Sequence, residues 1–228
     1  MTGSAGRFSE EIEERGGSLR RAVLAPEEIA LLAEALGSNT GAGRRGMLAD
    51  PLVSSLAFSE RFLDLVRPHV PGSPQPVRAI LFDKSPGVNW LVPWHQDLSL
   101  AVRERRDVPG FGPWSVKDGL PHVQPPAAWL ESMLTIRLHL DDAGKENGAL
   151  RVLPGSHRHG KLEAESIARL RDSIAEECID AAAGDIFLMR PLLLHASGRS
   201  TSDRRRRVLH IEYCGLDLPD GLVWNPDA

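Results

Sequence analysis

His95 and Asp97 stand two residues apart in the segment Trp94-His95-Gln96-Asp97, and on an extended chain that spacing turns both side chains to one face. A histidine from a distant strand would complete a set of two imidazoles and one carboxylate, which holds Fe(II) on one side and leaves the other side open. His195 is placed to be that third ligand. Alone, a His-x-Asp is more often a surface hydrogen-bonding pair than a ligand set. Here His95 follows the apolar run Asn89-Trp90-Leu91-Val92-Pro93-Trp94, and His195 follows Leu192-Leu193-Leu194. Both therefore end apolar strands at the rim of a core, where a polar group must be paired or metal-bound. Open coordination positions suit a reaction that activates O2.

The elements that must position these ligands fall into two parts. Residues 1–70 read as mainly helical. Pro26 at a first turn, Ile29, Leu32 and Leu36 on one face and Gly37 as a stop predict a helix over 26–36. Asp50-Pro51 opens a second, with Leu52, Leu56, Phe62, Leu65 and Val66 as its stripe and Pro68 beyond its end. From Val77 the pattern turns to short strands, at 77–82, 133–140, 149–153, 185–189 and 206–213, with Asn147-Gly148 as the strongest tight-turn signal. Between 102 and 130 lies a Pro-, Gly- and Trp-rich insertion, read as a lid or binding loop with disorder as the alternative. The expected fold class is mainly β with N-terminal helices, a jelly-roll core over 77–213, all within a single domain spanning 1–228. Such a barrel can take two ligands from one strand and the third from a strand far along the chain.

The motifs together resemble the phytanoyl-CoA dioxygenase family of Fe(II)- and 2-oxoglutarate-dependent oxygenases, from about Pro51 to Tyr213. Its carriers are Phe82-Asp83-Lys84-Ser85-Pro86-Gly87-Val88-Asn89-Trp90, Pro93-Trp94-His95-Gln96-Asp97, Arg137-Leu138-His139-Leu140-Asp141-Asp142, Asn147 through His157, and His195-Ala196-Ser197 with Arg206 eleven residues after His195. The resemblance implies a double-stranded β-helix core with Fe(II) held by His95, Asp97 and His195. It implies that Arg206, helped by Ser197, grips the distal carboxylate of 2-oxoglutarate, with Lys84 and Gln96 lining the co-substrate pocket. O2 is then the oxidant, succinate and CO2 are products, and a small molecule is hydroxylated. Arginine suits the carboxylate role because its planar, permanently charged fork binds such a group at two points. Within Arg204-Arg205-Arg206-Arg207, strand alternation sends Arg206, Val208 and His210 to one face and Arg205 and Arg207 to the other, exposed one.

Other readings compete. His157-Arg158-His159 with Glu163 fits the His-x-His-x3-Glu spacing of cupin metal sites, but Arg151 and Leu170 stand where that pattern has glycines. A β-helix scaffold surviving only as a binding module is a second alternative, opposed by the intact ligand set and Arg206. Halogenation resembles the same chemistry with the carboxylate ligand replaced, and Asp97 argues for hydroxylation instead. His139 alternates with Thr135 and Arg137, opposite Leu134, Ile136 and Leu138, and reads as a satisfied interior histidine; His69, His122 and His210 carry no assignable role. Trp90, Trp94 and Trp129 read as core or pocket wall.

A formal net charge of −4 offers no positive field to collect nucleic acid or anionic membrane. No run of about 18 apolar residues is present to span a membrane. The segment Met1 to Arg7 lacks a signal-peptide core, and Cys178 and Cys214 read as two reduced, buried thiols, so the expected compartment is the cytoplasm.

Overall fold

The computed structural model describes residues 2–38 and 41–225; Met1 of the N-terminal segment lies outside them. Helix α1 (Thr2–Arg15) is followed by strand β1 (Gly17–Arg20), an element not foreseen in the mainly helical reading of this region. Helix α2 (Pro26–Leu36) forms over the predicted span, with Pro26 in its first turn and Ile29, Leu32 and Leu36 buried. After the short strand β2 (Gly43–Arg44), the expected long helix is two, α3 (Pro51–Ala57) and α4 (Glu60–Val66). Asp50 caps α3, its Oδ1 accepting from the amides of Leu52 and Val53. The break falls at Ser59, whose hydroxyl donates to the Leu56 carbonyl at 2.6 Å. The break rotates the stripe, so Val53, Ala57, Phe62 and Val66 are buried while Leu52 is exposed.

The strands follow as β3 (Gln75–Lys84), β4 (Val92–His95), β5 (Leu100–Ala101), β6 (Trp114–Lys117) and β7 (Leu120–Val123), then helix α5 (Ala127–Glu131). They continue as β8 (Leu134–His139) and β9 (Leu150–Val152), helix α6 (Ala164–Ser173), β10 (Glu177–Cys178), β11 (Ile186–Met189), β12 (His195–Ser197) and β13 (Arg206–Cys214). Hydrogen bonding orders them into a six-stranded sheet β1-β11-β8-β13-β3-β2 and a four-stranded sheet β10-β9-β12-β4, with a third, three-stranded sheet β5-β7-β6. Every pairing between these strands is antiparallel. The two larger sheets face each other as a double-stranded β-helix.

Alternation sets the layers. On the outer face of the six-stranded sheet, Leu81, Ile136, Leu138, Leu209, Ile211 and Tyr213 join Ile12, Leu32, Phe62 and Val66 in one apolar cluster under the helices. Full burial of such side chains contributes about 1.5–3 kcal/mol each. Tyr213 also donates its hydroxyl hydrogen to the Ala57 carbonyl at 2.9 Å, fastening α3 to β13. The inner face is left for polar chemistry.

Two expectations need correction, and the 102–130 insertion proves to carry secondary structure of its own. Asn147-Gly148 does not join a hairpin, because β8 and β9 belong to different sheets. Asn147 instead ends a 3-10 turn, its amide hydrogen-bonded to Gly144 and Asp142, and Gly148 takes φ 70° where a Cβ would lie 2.6 Å from the Gly198 carbonyl oxygen. The 102–130 insertion is ordered: it contributes β6 and β7 and packs Val102, Val108, Val123 and Leu130 into its own cluster with Met133, Leu192 and Cys214. Cys178 is exposed and only Cys214 is buried, both free. Among the described residues, no helix is long and apolar enough to cross a membrane.

Candidate metal centre and its cavity

Strand β4 ends on His95, and β12 begins on His195, its cross-strand partner. Asp97 follows, anchored by its amide to the Pro191 carbonyl at 2.9 Å. One ligand atom from each of His95, Asp97 and His195 lies within 4.8 Å of the others. Asp97 Oδ1 is 3.7 Å from His95 Nε2, Asp97 Oδ2 is 3.6 Å from His195 Nε2, and the imidazole centroids are 4.1 Å apart.

The tautomers follow from the partners. His95 Nδ1 donates to the Pro93 carbonyl and His195 Nδ1 to the Leu193 carbonyl, each at 2.8 Å. A carbonyl can only accept, so each neutral ring keeps its lone pair on Nε2, facing the carboxylate. Burial holds His195 neutral, its pKa pushed down to about 3 against the opposing pull of Asp97. Burial raises Asp97, but His195, His210, His95 and Arg78 outweigh it and hold the carboxyl below its usual range. Asp97 Oδ2 is buried without a hydrogen-bond partner among the described residues. Two imidazoles whose Nε2 atoms face inward and an ionised carboxylate with an unspent oxygen are a donor set suited to a divalent metal.

The three side chains line a cavity of about 270 Å³ between the two larger sheets. Arg206 enters it from β13 as alternation predicts, 3% exposed, with Nη2 3.4 Å from Ser197 Oγ. Its Nε and Nη1 have no hydrogen-bond partner among the described residues, and burial, then Arg137, lower its pKa to about 10. A buried guanidinium with idle donors marks a place for an anion. Lys84 sits beside Ser197 rather than on the cavity wall: its Nζ donates to Ser197 Oγ at 2.9 Å and to the Gly198 carbonyl. Gln96, between the two ligands, spends its amide on backbone, Nε2 donating to the carbonyls of Gly160 and Leu192 and Oε1 accepting from Leu162. It lines the cavity as expected, but its amide braces the segment between the candidate ligands and leaves no polar group over for a co-substrate.

Arg205 and Arg207 do face away, but they are not idle surface groups as expected. Arg205 pairs with Asp83, whose side chain is 1% exposed, and Arg207 makes a two-point pair with Asp141 at 2.8 Å while donating to the Ala33 carbonyl. Arg205, Arg206 and Arg207 thus serve the fold and the cavity alternately, while Arg204 pairs with Glu146 at the surface.

Several cavity residues were not singled out in the sequence. His210 Nε2 lies 4.0 Å from Asp97 Oδ2, and its Nδ1 accepts from Arg137 Nη1 at 2.9 Å. Arg78 and Glu212 form a buried pair at 3.1 Å, and Lys117 and Arg45 reach the same cavity from outside the two larger sheets. The signal for His210 and Glu212 was present in the alternation that selects Arg206. His139 is buried with both ring nitrogens unpartnered among the described residues, so it is not a satisfied core histidine; burial, with Arg137 and Arg206, lowers it to about 3. His157 gives its Nε2 to the Glu13 carbonyl, and among the described residues His157, His159 and Glu163 do not gather as metal ligands. Trp90 lines the cavity, Trp129 stacks edge-on against Phe111 in the insertion's cluster, and Trp94 lies under Arg151.

The family model for phytanoyl-CoA dioxygenase (PhyH) matches residues 9–208. A "Probable alpha-ketoglutarate-dependent hypophosphite dioxygenase" of Stutzerimonas stutzeri is 28% identical over 179 residues, covering 72% of this chain and 54% of that protein. The L-proline trans-4-hydroxylase of Streptomyces griseoviridis is 29% identical over 153 residues, covering 56% and 48%. The chain spans about half the length of these curated relatives. Among solved structures, the apo form of EctD from S. alaskensis superposes with a TM-score of 0.73 at 18% identity, over 97% of this chain and 84% of that one, a likeness of fold.

Proposed function

This chain belongs to the phytanoyl-CoA dioxygenase family, and we propose that it is an Fe(II)- and 2-oxoglutarate-dependent dioxygenase that hydroxylates a small molecule. The observation that carries this reading is the joint geometry of one cavity: the ligand atoms of His95, Asp97 and His195 within 4.8 Å, and Arg206 buried on the same wall with idle donors. The relative named for its alpha-ketoglutarate dependence supports the co-substrate, and the proline hydroxylase supports a small-molecule substrate.

In this reading His95, Asp97 and His195 hold Fe(II). The bound metal supplies an oxidation in which 2-oxoglutarate and O2 yield succinate and CO2 and one oxygen atom goes to the substrate. Arg206 binds the distal carboxylate of 2-oxoglutarate, Ser197 presents its hydroxyl beside it, and Lys84 holds Ser197 in place. The low-dielectric surroundings of Arg206 strengthen that ion pair beyond what a surface arginine provides. Leu150, Phe82 and Trp90 close the apolar part of the wall and limit water. The single domain acts in the cytoplasm, a placement supported by its two free thiols, with neither nucleic acid nor membrane as partner.

Anaerobic addition of Fe(II) and 2-oxoglutarate should give one iron per chain and a visible metal-to-ligand charge-transfer band. His195→Ala should lose both. A variant that keeps the band and full stoichiometry would overturn the ligand assignment.

A further inference from the structure

The inward positions of β3 and β13 run between two charged poles. Arg206 is paired across the ladder with Lys84 at one end, and Glu212 is paired with Arg78 at the other. Six residues of extended strand, roughly 20 Å, separate the Cα atoms of Arg206 and Glu212. His210, 4.0 Å from Asp97, lies between them. The second pole is therefore across the metal set from the arginine assigned to the co-substrate.

That pole is cationic. Arg78 donates from Nη1 to Glu212 Oε1 at 3.1 Å, but its Nε is buried without a hydrogen-bond partner among the described residues. Lys117, at the end of β6, donates to Ser99 Oγ at 2.7 Å and forms no ion pair with a described carboxylate. Arg45 lines the cavity too and is paired outward with Asp118. Three cations thus meet two carboxylates of this pole, Glu212 and Asp118, while Asp97, the third carboxylate within reach, belongs to the candidate metal set. Burial, then Arg78, lower the Lys117 pKa, with Arg45 adding to them and Asp97 and Glu212 opposing. An anion placed among these groups would meet the unpartnered Nε of Arg78 and a Lys117 ammonium bonded to a hydroxyl alone, and would relieve their mutual repulsion.

We propose that the primary substrate carries an acidic group, carboxylate or phosphonate, which Lys117 and Arg78 receive at the cavity mouth while the rest of the molecule reaches toward the metal set. The inference rests on the dioxygenase reading for which end reacts. A cavity of about 270 Å³ shared with 2-oxoglutarate restricts that substrate to a small molecule. The insertion that carries Lys117 would then select the substrate by charge.

The test uses the full chain under anaerobic Fe(II), with two titrations. Acetate, methylphosphonate and the neutral acetamide are each added in the presence of saturating 2-oxoglutarate, and binding is followed by broadening of the probe's methyl proton resonance. In parallel, 2-oxoglutarate is titrated into the unaltered protein and Arg206→Gln. We expect at least one anion to bind about tenfold more tightly than acetamide, Lys117→Gln to remove most of that preference, and Lys117→Arg to restore it. Lys117 is exposed at the mouth, so these changes do not open the core. The acetate and methylphosphonate arms separate carboxylic from phosphonic recognition. Acetamide binding as well as both anions, no binding by either anion, or anion binding indifferent to Lys117→Gln would each overturn the inference. Indifference of 2-oxoglutarate to Arg206→Gln would instead count against the dioxygenase reading, whatever the anions do.

Discussion

The two ends of the cavity are made differently. At the Arg206 end every charged group stands on a long strand of the six-stranded sheet or touches one: Arg206, Lys84 and Arg137 are 3%, 1% and 5% exposed, and their positions are set by ladder register. At the mouth, Arg78 and Glu212 belong to the same ladder, but Lys117 and Arg45 arrive on excursions outside it, both exposed. Register-bound groups cannot be moved singly, because a slip of one residue would turn the whole row outward. Groups on excursions can be exchanged without disturbing the ladder. On the proposed reading, the generic part of the reaction lies where the chain is least free to vary, and the selective part where it is most free.

The largest effect expected from breaking the deep end is at the ligands. Asp97→Ala removes the one anion of the set and should weaken Fe(II) binding by at least about 100-fold, more than the loss of a mere supporting partner costs. Iron stoichiometry after gel filtration reads this directly. Next, Arg206→Ala should cost about 2–4 kcal/mol of 2-oxoglutarate binding, roughly 30-fold to several hundredfold. Titration into anaerobic Fe(II) protein measures it.

Its neighbours sharpen the contrast. Arg205→Ala and Arg207→Ala should leave 2-oxoglutarate affinity within about threefold, since their guanidinium groups face away from the cavity. Each should lower stability instead, by about 2–3 kcal/mol, because Arg205→Ala deprives the buried Asp83 of its guanidinium and Arg207→Ala releases α2 from Asp141. Urea unfolding distinguishes these losses from a loss of binding. Unchanged stability in both variants would show that the outer face of β13 contributes little.

The smallest effect concerns pH. Lys84 is pushed down to about 7 by burial, then by Arg206 and Arg199. It is therefore charged below about pH 7 and loses its charge as the pH rises through that value. Because it reaches the cavity only through Ser197, 2-oxoglutarate affinity should fall by about two- to threefold between pH 6 and 8, and Lys84→Met should flatten the dependence. An unaltered slope in that variant would assign the pH effect elsewhere.

How much of this was legible in the chain depended on whether a residue's neighbours were set by local spacing or by pairing across the fold. His95 and Asp97 share a face because they are two apart on an extended segment, and Arg206 enters the cavity because alternate residues of a strand do. The 26–36 helix carries its own start, stripe and stop. Arg78 and Glu212 gave no such sign: each looks like an ordinary charged residue until the β3–β13 register sets them opposite each other. Gln96 sits between two ligands in sequence, yet alternation turns it to the backbone of residues 160–162, a partner 64 or more positions away. β1 is four residues long and gains its identity only by pairing with β11 at the sheet edge. The helix break at Ser59 is marked by a local turn in which the Ser59 amide and hydroxyl both donate to the Leu56 carbonyl, below the resolution of a hydrophobic stripe.

The matching Nδ1 contacts of His95 and His195 carry a consequence for how such a centre can change over time. Each ring is oriented by the carbonyl two residues before it, at Pro93 and Leu193, and a carbonyl is present whichever amino acid occupies the position. No single replacement can delete these two supports, as it could if a carboxylate side chain gave them. The tautomers of the candidate ligands are therefore inherited with the course of the backbone. The centre can drift in its surroundings, in what it admits and how tightly, while the direction of its imidazole lone pairs stays out of reach of point substitution.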